Sequence, residues 1–158
     1  MMGPSMHPVA VANRVIGSGV AEAPHNRVTH RLSVIDDDLA VVESFSHCWI
    51  IRTDEGLVCF DAGGVRHGAD VVAAVRSWSD QPIHSLVYTP AHLDHVGGSG
   101  PFVAHAADRG HADPRLLAHQ ALRARFARST TTSAWHGNTN HSQLAAGHHP
   151  HHPGPTGH

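Results

Sequence analysis

The chain of 158 residues has room for one domain of ordinary size, and its 13 acidic side chains against 11 basic ones leave it near neutrality. Every permanent positive charge is an arginine, and no basic run points to a nucleic-acid or anionic-membrane partner. No stretch approaches the roughly 20 apolar residues that span a bilayer, and the opening residues lack the basic and apolar regions of a secretion signal. The expectation is a soluble, cytoplasmic protein with no membrane or nucleic-acid partner.

Residues 1–27, rich in Gly, Pro and small side chains, read as a loose segment in which "NRVIGSGV" could add an edge strand. Patterning begins near Val28. "HRLSVI" and "LAVVESF" flank Asp36, Asp37 and Asp38, which predicts two strands joined by a tight polar turn. "CWIIRT" and "LVCFDA" are separated by Asp54, Glu55 and Gly56, a second hairpin whose turn draws on the positive φ open to glycine. Cys48 and Cys59 lie in these apolar runs and read as core thiols.

Over residues 67–79, Val71, Val72, Val75 and Trp78 recur at helical spacing, with Asp70 and Arg76 among the polar positions, so an amphipathic helix is predicted. Pro82 closes the connection after it. "IHSLVYT" is then a strand, "GPFVAHAADRG" a short helix, "PRLLAH" a strand and "QALRARFAR" a last helix. Trp49, Trp78 and Phe60 read as core aromatics, and His105, His111 and His119 as surface or capping residues. Arg123, Arg125 and Arg128 form a basic helix end that complements the helix's negative terminus. Residues 129–158 contain no acidic residue and no arginine, and their Ser, Thr, Asn, Gly, Pro and His content has too little apolar surface to offset chain entropy. A disordered tail is expected there.

The order ββββ, αβ, αβ, α predicts an α/β fold with a mixed sheet and flanking helices. In such folds sites gather at the carboxyl ends of strands, where "FDAGG" and "TPAHLDHVGG" both fall. His92, Asp94 and His95 on one loop offer imidazole and carboxylate donors together, a set that suits zinc. Leu93 between them is expected to face the protein, and Gly97 and Gly98 to let the backbone turn sharply close to the metal. Alone, H-x-D-H in a chain with 18 histidines describes a helix N-cap as readily as a metal site.

Together with "FDAGG" one helix and one strand earlier, "TPAHLDHVGG" resembles the metallo-β-lactamase superfamily, whose signature H-x-H-x-D-H follows an aspartate at the end of an earlier strand. The resemblance covers about residues 28–128. "HCWIIRTDEGLVCFDAGG" and "GGSGPFVAHAADRG" look most like its alkylsulfatase-type branch. It implies the N-terminal half of an αββα sandwich, with up to two zinc ions as cofactor. By the same resemblance, Asp94 and His95 would bind one ion, His92 the other, and Asp61 would orient a histidine ligand from behind. Asp94 is also the residue assigned to catalysis. The implied reaction is hydrolysis of a sulfate or other small-molecule ester by a zinc-activated water.

Two departures bear on activity. The family's first motif histidine falls on Pro90, which has no donor nitrogen. Its further ligands come from later strands, whereas patterning here ends near Arg128; His136 and His141 lie in a segment without strand periodicity. The expectation is therefore a partial domain over 28–128, truncated relative to the family, with activity weakened or lost. Beside the hydrolase reading stand a noncatalytic, truncated or frameshifted fragment, motivated by the loss of every charge after "RARFAR", and a metal-binding module built on "HHPHH". The sequence carries no signal for oligomeric state.

Overall fold

Four strands joined by short turns, followed by two strands reached through helical crossovers, lie in one mixed sheet in chain order. They are β1 (Leu32–Asp36), β2 (Leu39–Val42), β3 (Cys48–Thr53), β4 (Gly56–Phe60), β5 (Ile83–Val87) and β6 (Arg115–Leu117). β1 to β4 pair antiparallel, while β4, β5 and β6 pair parallel. The computed structural model describes residues 6–20 and 27–131. Its helices are α1 (Pro8–Ser18), α2 (Gly68–Arg76), the single turn α3 (Leu93–Val96), α4 (Ser99–Asp108) and α5 (Leu122–Thr131). None is long and apolar enough to cross a membrane.

Turn chemistry explains the two hairpins. The backbone N–H of Asp37 donates to Asp36 Oδ1 at 2.8 Å, closing the tight polar turn between β1 and β2. Gly56 opens β4 at φ 125°, where a Cβ would stand 2.6 Å from the carbonyl oxygen of Pro82. Only glycine fits both that angle and that contact.

Strand alternation then sorts the side chains between two faces. Ala40, Val42, Cys48, Ile50, Leu57, Cys59 and Leu86 turn to one face and pack with Val71, Val72 and Val75 of α2 and Phe102 of α4. Both cysteines are free and fully buried there. A hydrogen bond with Cys59 and burial push the Cys48 thiol up from its ordinary range, so it stays protonated and behaves as a small apolar group.

The register places Val41, Trp49 and Phe60 side by side, and Leu39, Ile51 and Val58 likewise, on the opposite face. Trp49 is 40% exposed and Ile51 38% exposed. Trp49 is thus not a core aromatic: its odd position in β3 turns it away from the helices. Trp78 does pack against the core, with the Arg52 guanidinium 4.2 Å from its ring centroid. His105 is also not a simple surface residue. Its Nε2 is buried without a hydrogen-bond partner among the described residues, and desolvation with Arg76 and Arg109 nearby lowers its pKa.

Near the start of the chain, the "NRVIGSGV" stretch is helical where a strand was expected. Pro8 occupies the first turn, His7 Nδ1 accepts from the Val9 N–H at the N-cap, and Gly19 at φ 67° caps the other end. Proline at the start and glycine past the end are the asymmetric signals of a helix, and they outweigh the β-branched content between them. α1 buries no residue and is held by His7 Nε2 donating to the Val34 carbonyl at 3.0 Å. At the other end, α5 runs to Thr131, three positions beyond the end of the predicted helix. Residues 132–158, with His136, His141 and "HHPHH", lie outside the described residues.

Glycines bring the motif loop onto the end of β4. A Cβ on Gly98 would stand 2.2 Å from the Ala62 carbonyl oxygen and 2.9 Å from Gly68 Cα. These atoms are backbone and cannot rotate aside. Gly98→Ala is therefore expected to destabilise the fold by about 1–3 kcal/mol through overpacking. Gly100→Ala, with nothing within 4 Å of the new Cβ, should leave stability unchanged or slightly raised in the same thermal melts.

Candidate metal centre

Parallel pairing of β4 with β5 sets the loops after the two strands side by side, and Asp61 joins them. Its backbone N–H donates to the Val87 carbonyl at 2.8 Å, continuing the ladder one residue past β4. The residue then adopts φ 62°, a left-handed conformation that a non-glycine holds only under outside constraint. Three donors supply the constraint. The Thr89 N–H reaches Oδ1 at 2.8 Å, the Thr89 hydroxyl reaches Oδ2 at 2.5 Å, and His95 Nδ1 reaches Oδ2 at 2.8 Å. Asp61 is only 5% exposed, so each of these bonds is made largely out of water.

Backbone contacts hold α3 in the same place. The Ala62 N–H donates to the His95 carbonyl at 2.7 Å, and the Gly98 N–H to the Gly63 carbonyl at 2.9 Å. Gly97 and Gly98 allow close backbone packing against the 61–68 loop. Leu93 also departs from expectation. It is 62% exposed, because α3 is a single turn and Val96 takes the inward position.

With Nδ1 committed to a carboxylate, His95 carries its proton there and leaves the Nε2 lone pair available. That nitrogen faces Asp94 Oδ2 at 3.5 Å. Asp94 is steadied by the Ser46 hydroxyl, which donates to the same oxygen at 3.1 Å. Imidazole nitrogen and carboxylate oxygen around a zinc ion at 2.0–2.2 Å sit about 3.3 Å from each other, so this pair fits a shared cation.

His92 is arranged differently. Its ring centroid is 6.4 Å from that of His95, and its Nε2 accepts from the Arg125 guanidinium at 3.3 Å. The lone pair that a metal needs is engaged by a permanent cation. Pro90, which stands where the first motif histidine was expected, lines a cleft of 170 Å³ together with Thr89, His119, Leu122 and Arg125. The residues present fit a metal at the Asp94–His95 end and do not fit one at the His92–Pro90 end. Among the described residues, the one group of three ligand-type side chains converging within 4.8 Å is His30, His67 and Asp70, outside the motif loop.

Sequence reasoning placed Asp61 near the histidine cluster, and it is. It did not find Ser46 or Thr89, since hydroxyls in turn-like stretches carry no signal of their target. Arg125 was assigned to the helix terminus; its spacing from His92 in sequence hides the contact.

A family model described as the metallo-beta-lactamase superfamily matches residues 41–158. A linear primary-alkylsulfatase from a Pseudomonas species is 35% identical over 74 residues, which is 46% of this chain and 14% of that protein's length. Among solved structures, a Cronobacter sakazakii metallo-beta-lactamase with an HARLDQ motif superposes with a TM-score of 0.54 at 18% identity, over 66% of this chain and 39% of that one. A mutant of the HARLDQ motif from the same organism gives 0.51 at 19% identity, over 63% and 38%. These structural likenesses show a shared fold, and the family match extends over most of the chain. The chain belongs to the metallo-beta-lactamase superfamily.

Proposed function

We propose that this chain takes part in metal-dependent hydrolysis of a sulfate ester or related small-molecule ester. The observation that carries the reading is the chain of contacts from Asp61 through His95 to Asp94, which presents a nitrogen and an oxygen donor to one point. Similarity to a linear primary-alkylsulfatase supports the alkylsulfatase-like branch and its substrate class.

Zinc bound by such donors supplies a Lewis acid and a water acidic enough to ionise near neutrality. This chain's own residues act around that centre. Asp61 fixes the His95 tautomer and ring plane, and Ser46 limits rotation of the Asp94 carboxylate. Arg125 and His119 line the neighbouring cleft, where a guanidinium can pair with an anionic sulfate in bidentate fashion. Asp94 and His95 are the proposed ligands, with Asp94 also proposed for catalysis. His92 becomes a ligand only once Arg125 leaves it.

A noncatalytic role is the second reading, favoured by the Arg125–His92 hydrogen bond and by Pro90. Zinc titration of the full chain, paired with hydrolysis of 4-nitrophenyl sulfate, separates the two. The hydrolase reading expects slow zinc-dependent turnover that Asp94→Ala abolishes. Asp94-dependent zinc binding without any turnover overturns it in favour of the noncatalytic reading.

Asp61→Ala tests the orienting role. Loss of the buried acceptor leaves Thr89 and His95 unpaired, at a cost of about 1–3 kcal/mol in denaturant unfolding. The zinc affinity of the Asp94–His95 pair should fall roughly 10- to 100-fold. Unchanged affinity in a folded Asp61→Ala chain would show that the Asp61–His95 contact serves packing alone.

A further inference from the structure

We propose that His30, His67 and Asp70 form a second divalent-cation site, separate from the motif loop, which clamps the segment before β1 to the first turn of α2. His30 Nε2 and His67 Nδ1 face each other at 2.9 Å, and their rings lie 4.9 Å apart at a 38° tilt. Asp70 Oδ2 lies 3.6 Å from His30 Nδ1. One ligand atom from each of the three residues falls within 4.8 Å of the other two.

The backbone of each residue is placed by something other than the cluster. His67 is the N-cap of α2, yet its side chain makes no capping hydrogen bond, so Nδ1 is not used by the helix. Asp70 lies on the first turn of the same helix, three positions on, where side chains share one face. His30 arrives from a loop 37 residues away in sequence. Its backbone sits at φ 52°, and the N–H groups of Thr29 and His30 both donate to the Glu43 carbonyl, at 3.1 and 2.8 Å. Glu43, 3% exposed, is in turn ion-paired with Arg27. A left-handed non-glycine conformation is thus maintained at the residue that projects an imidazole towards α2.

The donor chemistry selects the ligand. Two neutral imidazoles and one carboxylate suit a first-row divalent cation such as zinc, and they leave it a net positive charge with positions open to water. Donors around a tetrahedral zinc sit about 3.3 Å apart, so the 2.9 Å pair opens slightly. Asp70, with its side chain 59% exposed, is free to swing inward. A bound cation takes both facing lone pairs, where the metal-free pair must keep a proton between them.

Gly64 divides this cluster from the motif. A Cβ there would stand 3.5 Å from His67 Cδ2 and 3.7 Å from Asp94 Cα. The two sites are neighbours with no shared ligand. A cation at the His30 site links two segments distant in sequence, so it should bind the folded chain in preference to the unfolded one and raise its melting temperature.

The experiment is zinc(II) titration by calorimetry and thermal unfolding with and without zinc, on the full chain and on His30→Ala, His67→Ala, Asp70→Asn and Asp94→Ala. All variants keep the histidines of residues 132–158, so their background binding cancels in the comparison. His30→Ala and His67→Ala should each lose one zinc equivalent and most of the zinc-dependent rise in Tm. Asp70→Asn should weaken that equivalent by at least about tenfold, since it removes the only ligand charge. Asp94→Ala should retain it, which keeps this site distinguishable from the motif centre. Should His67→Ala fail to fold, His30→Ala and Asp70→Asn decide the matter. The same stoichiometry and the same Tm rise in these variants as in the unsubstituted chain would overturn the proposal.

Discussion

Asp61 holds a left-handed backbone at the end of β4 because Thr89 and His95 converge on its carboxylate, and the geometry of the motif loop follows from that convergence. The carboxylate is buried, so losing one partner leaves a desolvated charge with an open lone pair. This makes the arrangement stiff. The two backbone hydrogen bonds between the 61–64 loop and residues 95–98 act in the same direction, and they require glycine where main chain meets main chain. Sheet, helix α2 and motif loop are therefore joined at one point, and the orientation of His95 is a property of that joint.

From there the two ends of the motif diverge. At one end, Asp61 orients His95 and Ser46 steadies Asp94, so that His95 Nε2 and Asp94 Oδ2 face each other at 3.5 Å. At the other, Pro90 contributes no donor and His92 accepts from Arg125. A guanidinium stays charged at any pH a protein tolerates, so it opposes a cation beside His92 by both occupancy and charge. The same group lining the adjacent cleft favours an anion there. Pro90 in the loop and one contact from α5 thus set a guanidinium, and no second nitrogen donor, beside His92 at that end of the motif.

The sheet itself is asymmetric. One face is closed by α2 and α4 over a tightly packed apolar cluster that includes the two free thiols, Cys48 and Cys59. The other carries Trp49 and Ile51 in partial contact with solvent among the described residues. Apolar area of that kind gains free energy at roughly 25 cal/mol per Å² when covered. The half-exposed aromatic is explained by strand parity: Cys48 and Ile50 face the helices, so Trp49 cannot.

Periodicity and turn chemistry in the sequence determined the two hairpins, the helix over Val71 to Val75, the mixed α/β order and the adjacency of "FDAGG" to "AHLDH", because these depend on near neighbours along the chain. Local signals were also present for α1, in Pro8 and Gly19, at the two ends of a stretch whose β-branched residues suit a strand. Other features were decided only by tertiary structure. Trp49 and Leu93 face outward because strand register and a one-turn helix assign the inward positions to Ile50 and Val96. Arg125 meets His92, and His30 meets His67, across 33 and 37 residues. Such contacts are fixed by how β4, β5, α2 and α5 pack, and each side chain's sequence neighbours carry no record of its partner. The sequence by itself therefore determined which residues could serve a metal centre, while packing decided which lone pairs are free to do so, since a hydrogen bond already made to a lone pair is invisible until both partners are placed.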